Sequence, residues 1–309
     1  MGEELDGGIF QNMNNFFSSW AWPWWTVIVV INAVNLVICG VVFKRTLSAE
    51  DEENSKYRRR MRVMGVIFTL VAAYRSVFVS RYITQLAWFD SVANSSLLIR
   101  LFAVAAELSF SGLIAFAMLQ VNHDLPDANA ENTRGLKAFF TSKSPYFLIG
   151  CIFLAQFFAT GGVITKSKTL FAIEETLWSI GFLSVLPLAI LQLRRVFAIR
   201  DPDLVERLQL LRKSTIIVAA WCVIYCSYGL FYHLPFENWP SAIDQIKTGV
   251  PAIKTGISAI TDALLIINES KAYSDWGFGF LLWHSAYFSI CTWISIFLMQ
   301  APRIKKTTR

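Results

Sequence analysis

Five ionisable residues interrupt long apolar runs in this chain: Arg75, Glu107, Glu174, Glu175 and His284. A charge in hydrocarbon costs roughly 3 kcal/mol or more, so such residues are kept for ion pairing, for a proton or solute path, or for ligand binding. No catalytic signature stands beside them. Metal-assisted hydrolysis needs about three convergent His or carboxylate ligands. The chain has only His123, His233 and His284, and His123 falls in a connection on the opposite side from the other two. The sequence therefore predicts no enzyme, no bound metal and no cofactor.

The elements that must position these residues are helices in lipid. Hydrophobic residues make up 55% of the chain and charged residues 16%, and the apolar residues come in blocks, without amphipathic spacing. The blocks predict an all-α, single-domain bundle of seven transmembrane helices at residues 24–43, 63–82, 98–119, 145–164, 170–192, 214–234 and 278–299. Each has about the 20 residues that a helix needs to cross a bilayer core of about 30 Å. Backbone groups in lipid must bond within their own segment, which leaves helices as the economical form. Residues 1–23 and 301–309 flank this 24–300 domain. Cys39, Cys151, Cys222, Cys226 and Cys291 all lie in apolar runs, so no disulfide framework is expected. Cys222 and Cys226, one turn apart, read as a packed helix face.

Orientation follows from Lys and Arg in the connections, of which twenty fall on one side and seven on the other. The positive-inside rule then predicts an external amino terminus and a cytoplasmic basic tail, most simply in a plasma membrane. The acidic Glu3, Glu4 and Asp6 precede the first span with no basic region or cleavage site, so no removable signal is expected. Trp20, Trp22, Trp24 and Trp25 stand where an aromatic belt would anchor that span.

The connections carry fewer instructions. In residues 49–62 an acidic run precedes Arg58, Arg59 and Arg60, a basic cluster that fixes topology and could also hold anionic headgroups. No nucleic-acid partner is expected. Asp201-Pro202 reads as a helix start, with Asp201 capping and Pro202 in the first turn. Residues 241–270 hold three seven-residue units beginning at Ile246, Ile253 and Ile260. Ile243, Ile246, Val250, Ile253, Ile257, Ile260, Leu264 and Ile267 alternate steps of three and four. They predict one amphipathic helix on the outer membrane surface or tucked among the spans.

Depth counting groups the charges. Arg75 lies about 18 Å from the inner start of the second span and Glu107 about 13 Å from the outer start of the third, so the two share a depth. Consecutive antiparallel helices are usually neighbours, and an Arg75–Glu107 ion pair is the expectation. Arg100, Glu107 and Ser111 share one face, while Arg81 and Asp90 flank the same outer turn. Glu174, Glu175 and His284 also fall in the outer half. The candidate polar site is thus Arg75, Arg81, Asp90, Arg100, Glu107, Glu174, Glu175 and His284. The bland alternative is a set of separate buried structural contacts.

Ala73-Tyr74-Arg75-Ser76, Arg81, Trp88-Phe89-Asp90, Arg100 and Ala106-Glu107-Leu108-Ser109-Phe110 resemble a group of polytopic membrane proteins with no settled activity. Glu174-Glu175-Thr176-Leu177-Trp178, Tyr287-Phe288-Ser289 and Trp293-Ile294-Ser295 add to the likeness. The resemblance implies only that these positions belong to one architecture.

Channel or transporter function for an ion or small solute is the first expectation. A seven-helix receptor or sensor, or a non-catalytic subunit of a larger membrane complex, is the alternative. Charges in several spans favour transport, while their confinement to the outer half favours sensing. The outer loops lack a cysteine pair, and residues 278–299 lack the lysine that a retinal protein would need.

Overall fold

The computed structural model describes residues 21–48, 54–125, 135 and 138–304. The acidic amino terminus, Trp20, the acidic run before Ser55 and the end of the basic tail lie outside them. Helices dominate: α1 (Ala21–Ser48), α2 (Ser55–Val77), α3 (Ser96–Asp124), α4 (Ser144–Thr165), α5 (Lys168–Ala198), α6 (Pro202–Arg207) and α7 (Gln209–Tyr225). A π-helical stretch, Cys226–Asn238, carries α7 into α8 (Trp239–Thr248). After α9 (Gly256–Leu265) and α10 (Tyr273–Trp276), α11 (Phe278–Ala286) runs through a π turn into α12 (Thr292–Leu298). Side-chain oxygens of Ser95, Ser167 and Asp201 cap α3, α5 and α6, each taking a backbone N–H of the first turn.

Six helical stretches are long and apolar enough to cross a membrane: 21–47, 96–124, 139–165, 168–198, 209–248 and 278–298. They coincide with six of the seven expected spans. The remaining one, 63–82, falls on α2, which does not belong to this set. Its first turns carry Lys56, Arg58, Arg59, Arg60 and Arg62, and its helix stops at Val77, before the expected end. Charge in its first turns and an early stop at Val77 shorten its apolar part.

α2 nevertheless packs along α1, α3 and α12. At one end Arg58 Nη2 and Arg62 Nη1 donate to Thr46 O at 2.8 and 2.9 Å, satisfying a carbonyl in the last turn of α1. At the other end Trp25 Nε1, from the first turns of α1, donates to Val77 O at 3.1 Å. Buried Arg58 thus caps the end of α1, while Arg59 and Arg60 are exposed. Between these ends, Phe68, Phe110, Leu113, Phe182, Val185, Val218 and Leu298 form the central core. Gly65 permits a close approach, since a Cβ there would stand 2.8 Å from Met299 Cβ. Val37, Phe157 and Ile224 lie among many exposed apolar side chains on the outside of the bundle, the surface that lipid would cover.

On the side where α1 begins, the chain between α2 and α3 forms β1 (Ser80–Arg81) and β2 (Leu86–Ala87), antiparallel, and β3 (Asn268–Glu269) adds parallel to β2. Trp88 is buried there, stacked on Trp25 and packed against Trp22 and Trp276. The tryptophans expected in an interfacial belt thus divide: Trp22 stays half exposed, while Trp24 and Trp25 pack inward.

The amphipathic helix expected over 241–270 is not one helix. Gly249, at φ +70°, ends α8 in the left-handed conformation that glycine adopts at low cost. Pro251 lacks the N–H that a continuing helix would need, and the chain resumes helix only at Gly256. The link folds back on the α4–α5 turn: Lys254 N donates to Thr165 O at 2.9 Å, and Gln245 Nε2 donates to Lys166 O at 2.9 Å and to Pro251 O at 2.8 Å. Ile246, Val250, Ile253 and Ile257 remain exposed along it.

Candidate functional site

A cavity of about 370 Å³ lies among α2, α3, α5, the π-helical part of α7–α8 and α11, beneath the β1–β2 turn. That volume is at the lower end of pockets that hold small organic molecules. Arg75, Arg81, Arg100, Glu107, Glu174, Glu175 and His284 all line it, so seven of the eight expected site residues meet in one space. Asp90 does not. It is exposed on the connection between β2 and α3, because the strands turn this part of the chain away from the bundle.

The expected Arg75–Glu107 pair is replaced by a pair within α3. Arg100 Nη1 and Nη2 donate to Glu107 Oε1 and Oε2 at 3.1 and 2.8 Å, a two-pronged bond between residues seven apart. Side chains on a helix lean toward its N-terminus, which carries the Glu107 carboxylate toward Arg100 and the start of α3. Glu174 Oε1 from α5 stands 3.5 Å from Arg100 Nη1, and Gln156 Oε1 from α4 accepts from Arg100 Nη2. One guanidinium, 2% exposed, thus ties three helices together. Such charge-assisted, bidentate contacts are the geometry in which a buried Arg is best compensated.

Arg75 takes another direction. Its Nη2 donates to the Tyr82 hydroxyl at 2.9 Å, and its Cζ lies 5.0 Å from the centre of the Phe288 ring. No carboxylate lies within ion-pair distance of it among the described residues. Glu175 accepts from the Tyr225 hydroxyl at 3.0 Å. His284 is buried and ringed by Trp24, Phe280 and Phe288. Arg81 holds the rim, donating to Asp275 O at 2.9 Å and Trp276 O at 3.3 Å, with its Cζ 5.3 Å from the Phe280 ring centre. Of the residues that line the cavity, Thr84 and Trp283 are exposed.

Aromatic side chains complete the walls: Phe110, Phe171, Trp178, Trp221, Tyr225, Trp283, Tyr287 and Phe288. Buried polar atoms without a protein partner gather here as well, namely Arg75 Nε, Arg100 Nε, Ser80 Oγ, Asn238 Nδ2, His284 Nε2 and the Tyr287 hydroxyl. Buried polar groups are normally satisfied, so their concentration around one space marks a polar chamber. Beside the rim, Lys166 Nζ donates to Gln85 Oε1 at 2.6 Å. Burial pushes its pKa below the usual lysine range, the neighbouring Lys254 adds to the shift, and Asp262 opposes it.

Gln156, Tyr82, Tyr225 and Lys168 were not among the expected site residues. Gln156 had a sequence signal, a lone amide halfway along the fourth apolar run, but counting only ionisable residues passes over it. Tyr82 and Tyr225 had none, since tyrosines in apolar runs most often read as core or belt. Cys222 and Cys226 are buried and free in the core, as the packed-face reading expects. No group of three His, Cys, Asp or Glu residues able to hold a metal occurs among the described residues.

Neither a family model, nor a curated protein, nor a solved structure matches this chain. The six apolar helices are those of an integral membrane protein.

Proposed function

We propose that this is a seven-span membrane protein whose cavity opens to the outside and binds a small solute as the outward-facing step of transport. The carrying observation is the 370 Å³ chamber, in which nine Arg, Lys, His and Glu side chains from several elements converge and whose lining includes exposed Thr84 in the β1–β2 turn. Paired charges with no space between them would have served structure alone. The seventh crossing is α2. Its 23 residues extend about 34 Å, and its two ends bond to opposite ends of α1. The excess of Lys and Arg in the connections supports an external amino terminus, and Arg59 and Arg60 are then available to anionic lipid on the inner side.

Below the chamber Phe110 and Phe182 pack edge to face on Trp221, and Phe68 lies tilted against Phe110, a layer of apolar aromatic rings. That layer favours a second reading, a receptor that senses the solute without passing it. Cysteine substitution tests both. In intact cells Phe171→Cys should react with a membrane-impermeant thiol reagent added outside, against a low background from five buried native cysteines. Reaction only from the inner side would overturn the outward-facing site. Leu188→Cys, below the layer, should become reactive from the cytoplasmic side during solute turnover if the protein transports. A Leu188→Cys variant that binds solute yet never reacts would favour the receptor.

A further inference from the structure

The chamber's charges are not equally committed, and this difference identifies a ligand class. Both carboxylates nearest Arg100 are occupied, Glu107 by two hydrogen bonds and Glu174 by an ion pair, while Glu175 accepts from Tyr225. Arg75 has only a neutral hydroxyl and aromatic faces. Among the unpartnered buried atoms of the lining, Arg75 Nε, Arg100 Nε, Trp221 Nε1 and Asn238 Nδ2 can only donate, Ser80 Oγ, His284 Nε2 and the Tyr287 hydroxyl can donate or accept, and none is a carboxylate oxygen. Atoms that can only donate therefore outnumber those that can only accept, and a ligand that brings acceptors answers them.

Resting on the reading of this chamber as a solute site, we propose that it takes a small organic anion, with a carboxylate received by Arg75 and an apolar body held among Phe171, Trp178 and Trp221. A guanidinium fork matches a carboxylate in two parallel hydrogen bonds, and its strength rises where water is excluded. Arg81 and Lys168, at the lining's outer margin, add positive charge on the way in, which raises the local concentration of anions. The aromatic walls give the body an apolar surface, and the volume limits it to a small molecule. An organic cation attracted to Glu175 and the ring faces is the competing ligand, and its acceptor is already hydrogen-bonded.

The test uses the full chain in lipid nanodiscs and three probes with one ring and different heads: phenylacetate, phenylacetamide and phenethylamine. Binding is read from tryptophan fluorescence and from the thermal midpoint. Phenylacetate should bind at least tenfold more tightly than the other two, and hexanoate should compete with it. Arg75→Gln should weaken phenylacetate at least tenfold and leave phenylacetamide unchanged. Where Arg75→Gln does not fold, Arg75→Lys should give a smaller loss of the same sign, because a lysine keeps the charge without the fork. Preference for phenethylamine, equal binding of all three, unchanged phenylacetate binding in the variants, or no binding at millimolar concentration would overturn the anion assignment. Reactivity of Phe171→Cys in the same nanodiscs separates the outcomes: if it reacts, only the ligand class falls; if it does not, the accessible chamber falls with it.

Discussion

The half of this bundle that holds the chamber and the half beyond it, outer and inner in the proposed orientation, use the same helices in opposite ways. In the outer half, α3 and α5 turn Arg100, Glu107, Glu174 and Glu175 into a chamber edged by unsatisfied polar atoms. In the inner half the same helices contribute Leu113, Ile114, Phe182, Val185 and Leu188, buried and in van der Waals contact with α2, α7 and α12. Tyr57 donates to Pro302 O at 3.2 Å, and Ile304 N donates to Asp124 Oδ2 at 2.8 Å, so residues 302–304 are tied beneath that packed half. One half stores polarity at a cost in stability, and the other supplies the packing that offsets it.

The contrast can be broken most severely at Arg100. Arg100→Met should lower stability by about 3–5 kcal/mol, because it leaves the buried Glu107 and Glu174 without their cation. Loss of folded protein on gel filtration and a lower thermal midpoint would show it. Adding Glu107→Leu should recover part of the loss, and a double variant no better than the single one would mean that the pair does not set the cost. Next is the inner half. Gly65→Leu should cost about 1–3 kcal/mol, since its Cβ meets Met299 and the flexible end of that side chain is not the atom in the way. A variant as stable as the parent would show that the inner packing is loose.

Smaller effects sharpen the boundary between the halves. Tyr225→Phe removes the hydroxyl that Glu175 accepts from and should cost about 1 kcal/mol in thermal unfolding. A much larger loss would place Glu175 among the structural charges with Glu107. Asp90→Asn should change stability by less than about 0.5 kcal/mol and leave solute binding as it is, because this side chain is exposed and outside the chamber. A clear binding defect would extend the site to the β2–α3 connection.

Depth along the chain was legible, and it gathered Arg75, Arg100, Glu107, Glu174, Glu175 and His284 into one half of the bundle. Pairing was not legible. Equal depth suited Arg75 and Glu107, but the helical lean of Glu107 and the arrival of Gln156 and Glu174 from α4 and α5 gave Arg100 the better partners. The heptads of 241–270 announced an amphipathic surface, yet Gly249 and Pro251, visible in the sequence as weak points, divided it. Trp24 and Trp25 suited an interfacial belt by position, but β1, β2 and β3 built an apolar cluster for them to enter.

The sequence by itself determined the solvent, the helical class and six membrane-competent helices, because length, apolarity and backbone bonding are local quantities that accumulate along a segment. The tertiary structure decided which charges compensate one another, which are left facing a cavity, and that there is a cavity at all. Those outcomes depend on rotation of each helix about its axis and on side chains arriving from distant segments.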